Sequence, residues 1–172
     1  MTSRMKTFLD QVDVEPEVKT VFFMMGYCHF CILKAELALK QALGTIFAVK
    51  DLEAEEKANE KAPFGHLLRK LRSRVDVDED LEELINVFLK NRNLFVHHLT
   101  ETIPFGTSDG LVDVANFCQI LSIQARRIGS HFNAAIAAET PQQSFDGLDS
   151  EEVEELLPIV DLLFRRKEEP GQ

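Results

Sequence analysis

Apolar residues recur along most of the chain at the three- and four-residue spacing of amphipathic helices. The longest such stretch, residues 17–49, is apolar on nearly every side up to Lys34 and alternates leucine with polar residues afterwards. A helix that is apolar all round is typical of the centre of a bundle. We therefore predict a central helix over residues 17–49, with Pro16 at its start and Gly44 as the point where it bends or ends.

The same spacing, together with capping and turn residues, predicts the other helices. The first covers residues 2–12, and a short second helix begins at Pro63. The next begins at residues 76–80 and ends at residue 99 or 102. The last two cover residues 111–138 and 149–166. Asp149 and Glu152 resemble a capping box at the start of the last helix, which Pro158 kinks. The predicted connections are residues 50–62, as a loop or an exposed helical extension, and the loops 103–110 and 140–147.

Strands are not predicted, because apolar and polar residues never alternate over the length of a strand. A chain of 172 residues fits one domain and is long enough for a core of its own. We therefore expect an all-α fold: one domain over residues 1–172, formed by an up-and-down bundle of about five helices.

The chain is acidic, with a formal net charge of −10. This charge repels polyanions at long range, whereas a broad surface that binds nucleic acid is normally basic. The charges are clustered in runs along the chain, which are best explained as solvated helix faces. The acidic runs are residues 51–60, 76–83 and 149–155, and the basic runs are residues 69–74, 126–127 and 165–167.

The sequence predicts a cytoplasmic protein with no membrane segment, metal or cofactor. Residues 1–10 lack the apolar region and cleavage site of a signal peptide. The apolar stretch 21–33 is followed by charged residues before it is long enough to cross a bilayer. An odd number of cysteines in such a chain indicates reduced, buried thiols rather than a zinc site, which needs four ligands. These cysteines are Cys28, Cys31 and Cys118.

Arg92 occupies an unusual position in the predicted helix that covers residues 81–99. On a helical wheel it lies in the middle of the apolar stripe. Burial of an unpartnered charge costs on the order of several kcal/mol. We therefore expect Arg92 to meet a carboxylate, backbone carbonyls, a bound anion or an opening at a subunit interface.

Asn93 and His97 share one side of the same helix, about 100° and about 140° around the wheel from Arg92. Arginine binds a phosphate and stabilises its developing charge, and histidine moves protons near neutral pH. Asparagine can hold a phosphate or sugar oxygen, or fix the histidine. The three residue types therefore suit phosphodiester chemistry, and the alternative is an arginine in an intramolecular ion pair beside surface histidines.

The segment Arg92-Asn93-Leu94-Phe95-Val96-His97 resembles the R-N-x-x-x-H form of the motif of the HEPN superfamily (higher eukaryotes and prokaryotes nucleotide-binding). The resemblance extends over about residues 18–138. Residues 88–99 are similar to the helix that ends in the motif, residues 64–68 to the short helix before it, and residues 107–111 to the entry of the long helix after it.

The resemblance implies a helical bundle that often forms a symmetric homodimer, with the motifs of two protomers in one cleft. Many members resemble metal-independent endoribonucleases of toxin or antiviral type, which leave a 2′,3′-cyclic phosphate. It implies that Arg92 contacts the scissile phosphate, that His97 acts in acid–base catalysis and that Asn93 binds substrate beside the arginine. His98 lies off this side and is a secondary candidate. Other members act in binding or assembly and cleave nothing.

Three hypotheses therefore remain for the function. The first is an RNA-cleaving enzyme of HEPN type. The second is a non-catalytic helical interaction or regulatory module, in which Arg92 is locked in an internal ion pair with a glutamate or aspartate from a neighbouring helix. The third is a nucleotide-binding domain in which Arg92 holds a phosphate. The expected partners are a second copy of the chain, an RNA substrate, and an antitoxin or regulatory protein.

Overall fold

The computed structural model describes residues 15–45, 62–139 and 164–166. Within these ranges the chain is helical except for short connections and two strands of three residues, so the predicted all-α class is confirmed. The helices and strands are α1 (Pro16–Thr45), α2 (Phe64–Arg74), β1 (Val75–Val77), α3 (Glu79–Asn93), α4 (Ser108–Glu139) and β2 (Phe164–Arg166). After α3 the chain stays helical through a π-helical turn, Leu94–His98, and a last short segment, Leu99–Thr102.

The predicted helices within the described ranges are confirmed, with shifted ends. The central helix follows the prediction from Pro16 to Thr45, and Gly44 lies inside it. α4 begins at Ser108 rather than at residue 111. The predicted helix over residues 2–12, the connection over 50–61 and the segment 140–163 lie outside the described residues.

The early start of α4 has a local cause in the loop before it. The hydroxyl of Thr107 accepts a hydrogen bond from the backbone N–H of Gly110 at 3.1 Å, which caps the first turn. A β-carbon at Gly110 would overlap the carbonyl oxygen of Pro104, so this turn packs on the loop only because residue 110 is glycine. The predicted loop is therefore shorter than expected, and its last residues belong to the helix.

The prediction that the chain has no strand is wrong. β1 pairs antiparallel with β2, with Val75 opposite Arg166 and Val77 opposite Phe164. The pairing buries Val75 and Phe164, and the Phe164 ring stacks on Phe132 of α4 with 5.7 Å between the ring centroids. Residues 164–166 are therefore extended, and the predicted last helix does not reach residue 166.

The acidic residues at the start of α3 both cap the helix and form its first turn, with Asp78 as the N-cap and Glu79, Asp80 and Glu82 in the first turn. The Asp78 carboxylate accepts hydrogen bonds from the backbone N–H groups of Asp80 at 3.0 Å and Leu81 at 3.4 Å. Such a cap satisfies N–H groups that have no partner inside the helix. α3 therefore begins at Glu79, and residues 75–77 are free to form the strand.

The core lies between α1 and α4, with α2 and α3 closing its other side. The largest fully buried side chains include Leu39, Leu43, Phe64, Phe88, Leu121 and Phe132. Phe64 of α2 and Phe88 of α3 meet edge to face, with 5.4 Å between their ring centroids. This packing fixes α3, and with it the segment that carries Arg92.

One face of α1 is exposed, contrary to the prediction that this helix lies at the centre of the bundle. Phe23 is 75% exposed, Phe30 54% and Leu33 50%. The reason is that α4 and α2 pack against other parts of the circumference of α1, and none of the described helices covers this face. By length and composition Pro16–Gly44 would also suffice to cross a membrane, although 33% of its most apolar window is buried inside the protein.

Gly129 sets the distance between α1 and α4. A β-carbon at this position would lie 3.7 Å from the Cα of Ala35, an ordinary contact distance. Gly129→Ala should therefore fit and raise the free energy of unfolding by up to about 1 kcal/mol through helix propensity. Gly129→Leu should lower it by about 1–3 kcal/mol, because the helices must separate. Urea unfolding followed by circular dichroism measures both, and equal stabilities for the two variants would contradict this packing.

Candidate functional site

The Arg92 side chain lies at the C-terminal end of α3 and contacts α1. Its Nη2 is 2.9 Å and its Nε 3.2 Å from Oε1 of Glu36. The two side chains are only partly exposed, 22% for Arg92 and 16% for Glu36. Of the partners expected for a half-buried guanidinium, the structure places a carboxylate of the same chain.

Asn93 is adjacent to this ion pair. Its Oδ1 accepts a hydrogen bond from Nη1 of Arg92 at 3.3 Å. A guanidinium has five N–H groups in a fixed plane. Three of them are used by Glu36 and Asn93, and the other two have no acceptor among the described residues. They are available to an incoming oxyanion.

His97 lies in the π-helical turn Leu94–His98 that follows α3. A hydrogen bond in such a turn spans five residues instead of four, so the turn accommodates an extra residue. A side chain five positions after Arg92 is therefore rotated less far around the helix than the roughly 140° expected for an ideal α-helix. The π-helical turn brings His97 closer to the side of Arg92, and π-helical turns are frequent at functional sites.

The imidazole of His97 is exposed and makes no hydrogen bond within the part of the chain that the structure describes. Its ring lies near that of His98, with 6.2 Å between the centroids. His98 itself is 3.0 Å from the Glu101 carboxylate, one turn further on. His97 is thus accessible to a ligand, whereas His98 has a local partner.

The structure brings Arg92 and Asn93 into direct contact and leaves His97 and His98 exposed at the same end of the helix. Sequence reasoning missed Glu36, which is far from Arg92 along the chain. It also missed Asn91, whose side-chain amide donates to Gln124 of α4 at 3.1 Å and ties the end of α3 to the bundle. A carboxylate in a predominantly apolar helix was the one signal that could have identified Glu36.

The cysteines are free and buried, as predicted. A hydrogen bond to Cys118 and burial raise the pKa of the Cys28 thiol well above its usual range. Among the described residues no group of three or more histidine, cysteine or acidic side chains is arranged to hold a metal ion.

Comparison of the chain with protein families, with curated proteins and with solved structures gives no match.

Proposed function

We propose that the chain is an RNA-cleaving enzyme of HEPN type whose site is formed by Arg92, Asn93 and His97. The observation that carries the proposal is the hydrogen bonding of the Arg92 and His97 side chains. Glu36 and Asn93 hold the guanidinium of Arg92 while two of its N–H groups stay available, and His97 nearby is exposed without a hydrogen-bond partner among the described residues. A structural role for Arg92 alone would not require an exposed imidazole in the turn that follows α3.

The proposed reaction is attack of a ribose 2′-oxygen on the adjacent phosphorus. The bond from phosphorus to the 5′-oxygen of the next nucleotide breaks, and a 2′,3′-cyclic phosphate remains. Arg92 stabilises the negative charge that develops on the phosphoryl oxygens. His97 accepts the proton of the 2′-hydroxyl or donates a proton to the leaving 5′-oxygen. In this proposal Glu36 is a positioning residue that orients the guanidinium.

A second copy of the chain is part of the proposal. The reaction needs a general base and a general acid, and a second protomer would bring a second His97 to the same phosphodiester. The exposed side chains of Leu33, one turn before Glu36, and Val96, next to His97, offer apolar area for such a contact. We further place the protein in the cytoplasm, with an antitoxin or regulatory protein as its partner.

The proposal is tested by incubating the purified protein with mixed-sequence RNA in excess chelator. We expect cleavage without added metal, and 2′,3′-cyclic phosphate ends on the products by mass spectrometry. RNA that stays intact over a wide range of protein concentrations would contradict the proposal. Products with 3′-hydroxyl ends would contradict it as well, because they require a different reaction.

A non-catalytic helical module is the second candidate, and the Arg92–Glu36 ion pair favours it. The pair joins two helices of one subunit, which is the arrangement expected for a structural arginine. In that case the ion pair would account for the half-buried charge without any ligand. The two candidates differ in what they predict for His97, which only an enzyme needs.

A further inference from the structure

An open groove with an unusual lining runs between α1 and α4. Its volume is about 480 Å³, and its lining includes Tyr27, Phe30, Lys34, Arg126, Ser130 and Asn133. Two smaller depressions continue it along α4, one beside Phe23 and Ile123 and one beside Arg127 and His131. Together they form a track on the surface, which we call the α1–α4 groove.

The charges in the α1–α4 groove are all of one sign. Lys34, Arg126 and Arg127 line it, and its described lining contains no carboxylate. This contrasts with the whole chain, which carries a net charge of −10. A ligand with many negative charges is therefore repelled by most of the molecule and attracted to this track.

Exposed aromatic rings alternate with these cations. Tyr27 is 45% and Phe30 54% exposed, and they lie one helical turn apart on α1. The ammonium of Lys34 lies 5.8 Å from the centre of the Phe30 ring. Exposed rings combined with a positive groove are the features that proteins use to hold single-stranded nucleic acid, since bases stack on the rings and phosphates meet the cations.

We propose that the α1–α4 groove binds single-stranded RNA and delivers it to the site at Arg92. Lys34 and Arg126 contact phosphates, and bases stack on Tyr27 and Phe30. The groove and the Glu36–Arg92 pair flank α1 on opposite sides, about one helix diameter, or 10–12 Å, apart. A single-stranded RNA that crosses the exposed face of α1 over Phe30 covers this distance within a few nucleotides. The choice of RNA as ligand rests on the proposed function.

The test is fluorescence anisotropy with a labelled single-stranded RNA of twelve nucleotides, in chelator, on the full chain carrying His97→Ala. Adding Arg126→Glu should weaken RNA binding by about tenfold or more. It should also make the plot of log affinity against log salt concentration less steep, by the equivalent of about one to two lost phosphate contacts. Adding Phe30→Ala should weaken RNA binding about five- to 150-fold with an unchanged salt slope. Arg69→Glu, a matched charge reversal on an exposed part of α2, should have a much smaller effect.

Equal RNA affinity in the groove variants and the His97→Ala parent would overturn the inference. A loss of self-association in sedimentation with unchanged RNA affinity would also overturn it and assign the face to a contact between copies.

Failure of the groove proposal can be distinguished from failure of the proposed function. If the wild type cleaves RNA and the groove variants bind RNA normally, only the proposal about the groove is refuted. If binding depends on the groove but the wild type cleaves no RNA, only the proposed enzymatic activity is refuted.

Discussion

Replacement of His97 by alanine is expected to reduce the rate of RNA cleavage by about 100- to 10,000-fold, the usual contribution of general acid–base catalysis. The same change should alter the free energy of unfolding by less than about 0.5 kcal/mol, because exposed side chains without specific contacts contribute little. His97 is such a side chain among the described residues. His97→Ala is therefore expected to reduce the cleavage rate strongly and to leave the free energy of unfolding almost unchanged.

Single-turnover cleavage and thermal unfolding of the same preparations measure the two effects. His66→Ala is the matched control, since His66 is an exposed histidine on α2 that has no part in the proposed reaction, and it should retain full activity. His98→Ala should have a smaller effect than His97→Ala, because His98 is already engaged by Glu101. Equal rates for the wild type and His97→Ala would remove the imidazole from the mechanism and favour the non-catalytic module.

Replacement of Arg92 by alanine is expected to affect both cleavage and stability. Loss of a group that stabilises transition-state charge should reduce cleavage by about 100- to 1,000-fold. The half-buried Glu36 carboxylate would lose its charged partner, which should lower the free energy of unfolding by about 1–3 kcal/mol. Arg92→Lys should recover part of the stability but little of the activity, because an ammonium cannot replace the planar guanidinium.

A double-mutant cycle separates these two roles. Glu36→Ala, Arg92→Ala and the double variant, compared by urea unfolding, give the coupling between the two side chains. We expect a favourable coupling of about 1–3 kcal/mol. A value near zero would mean that the ion pair contributes nothing to the fold and that Glu36 does not hold the guanidinium.

The helices were predictable because each rests on a local pattern. The spacing of apolar residues was sufficient for α1, α2 and α4, although capping by Thr107 moved the start of α4 from residue 111 to Ser108. The start of α3 at Glu79 lies within the predicted range of residues 76–80. The strands were not predictable, because β1 has only three residues and its partner is far away along the chain. Pairing of that kind depends on tertiary contacts, such as Phe164 on Phe132, rather than on periodicity.

The sequence was sufficient to predict which residues form the candidate site, but not how their side chains are arranged. An arginine within an apolar stripe needs a partner, and this requirement was visible in the sequence. The identity of the partner, Glu36, depends on how α1 packs against α3. The position of His97 was misjudged for a different reason: a wheel assumes a uniform α-helix, and the π-helical turn at Leu94–His98 breaks that assumption.

The exposed face of α1 could not be deduced from composition. An apolar stretch predicts burial, and α1 does bury Cys28, Leu39 and Leu43. The rings of Phe23 and Phe30 remain exposed because none of the described helices covers their face of α1. Exposed apolar surface of this kind usually marks an interaction site.

In the proposed reaction the 2′-hydroxyl of the RNA attacks the adjacent phosphorus, with the help of Arg92 and His97. The most direct measurement compares two oligonucleotides in chelator, one entirely of ribose and one with a single 2′-deoxy nucleotide at the position that is cut. We expect the wild-type protein to cut the first and to leave the second intact at that position. Cleavage of both at the same position, or of neither, would contradict the proposed reaction.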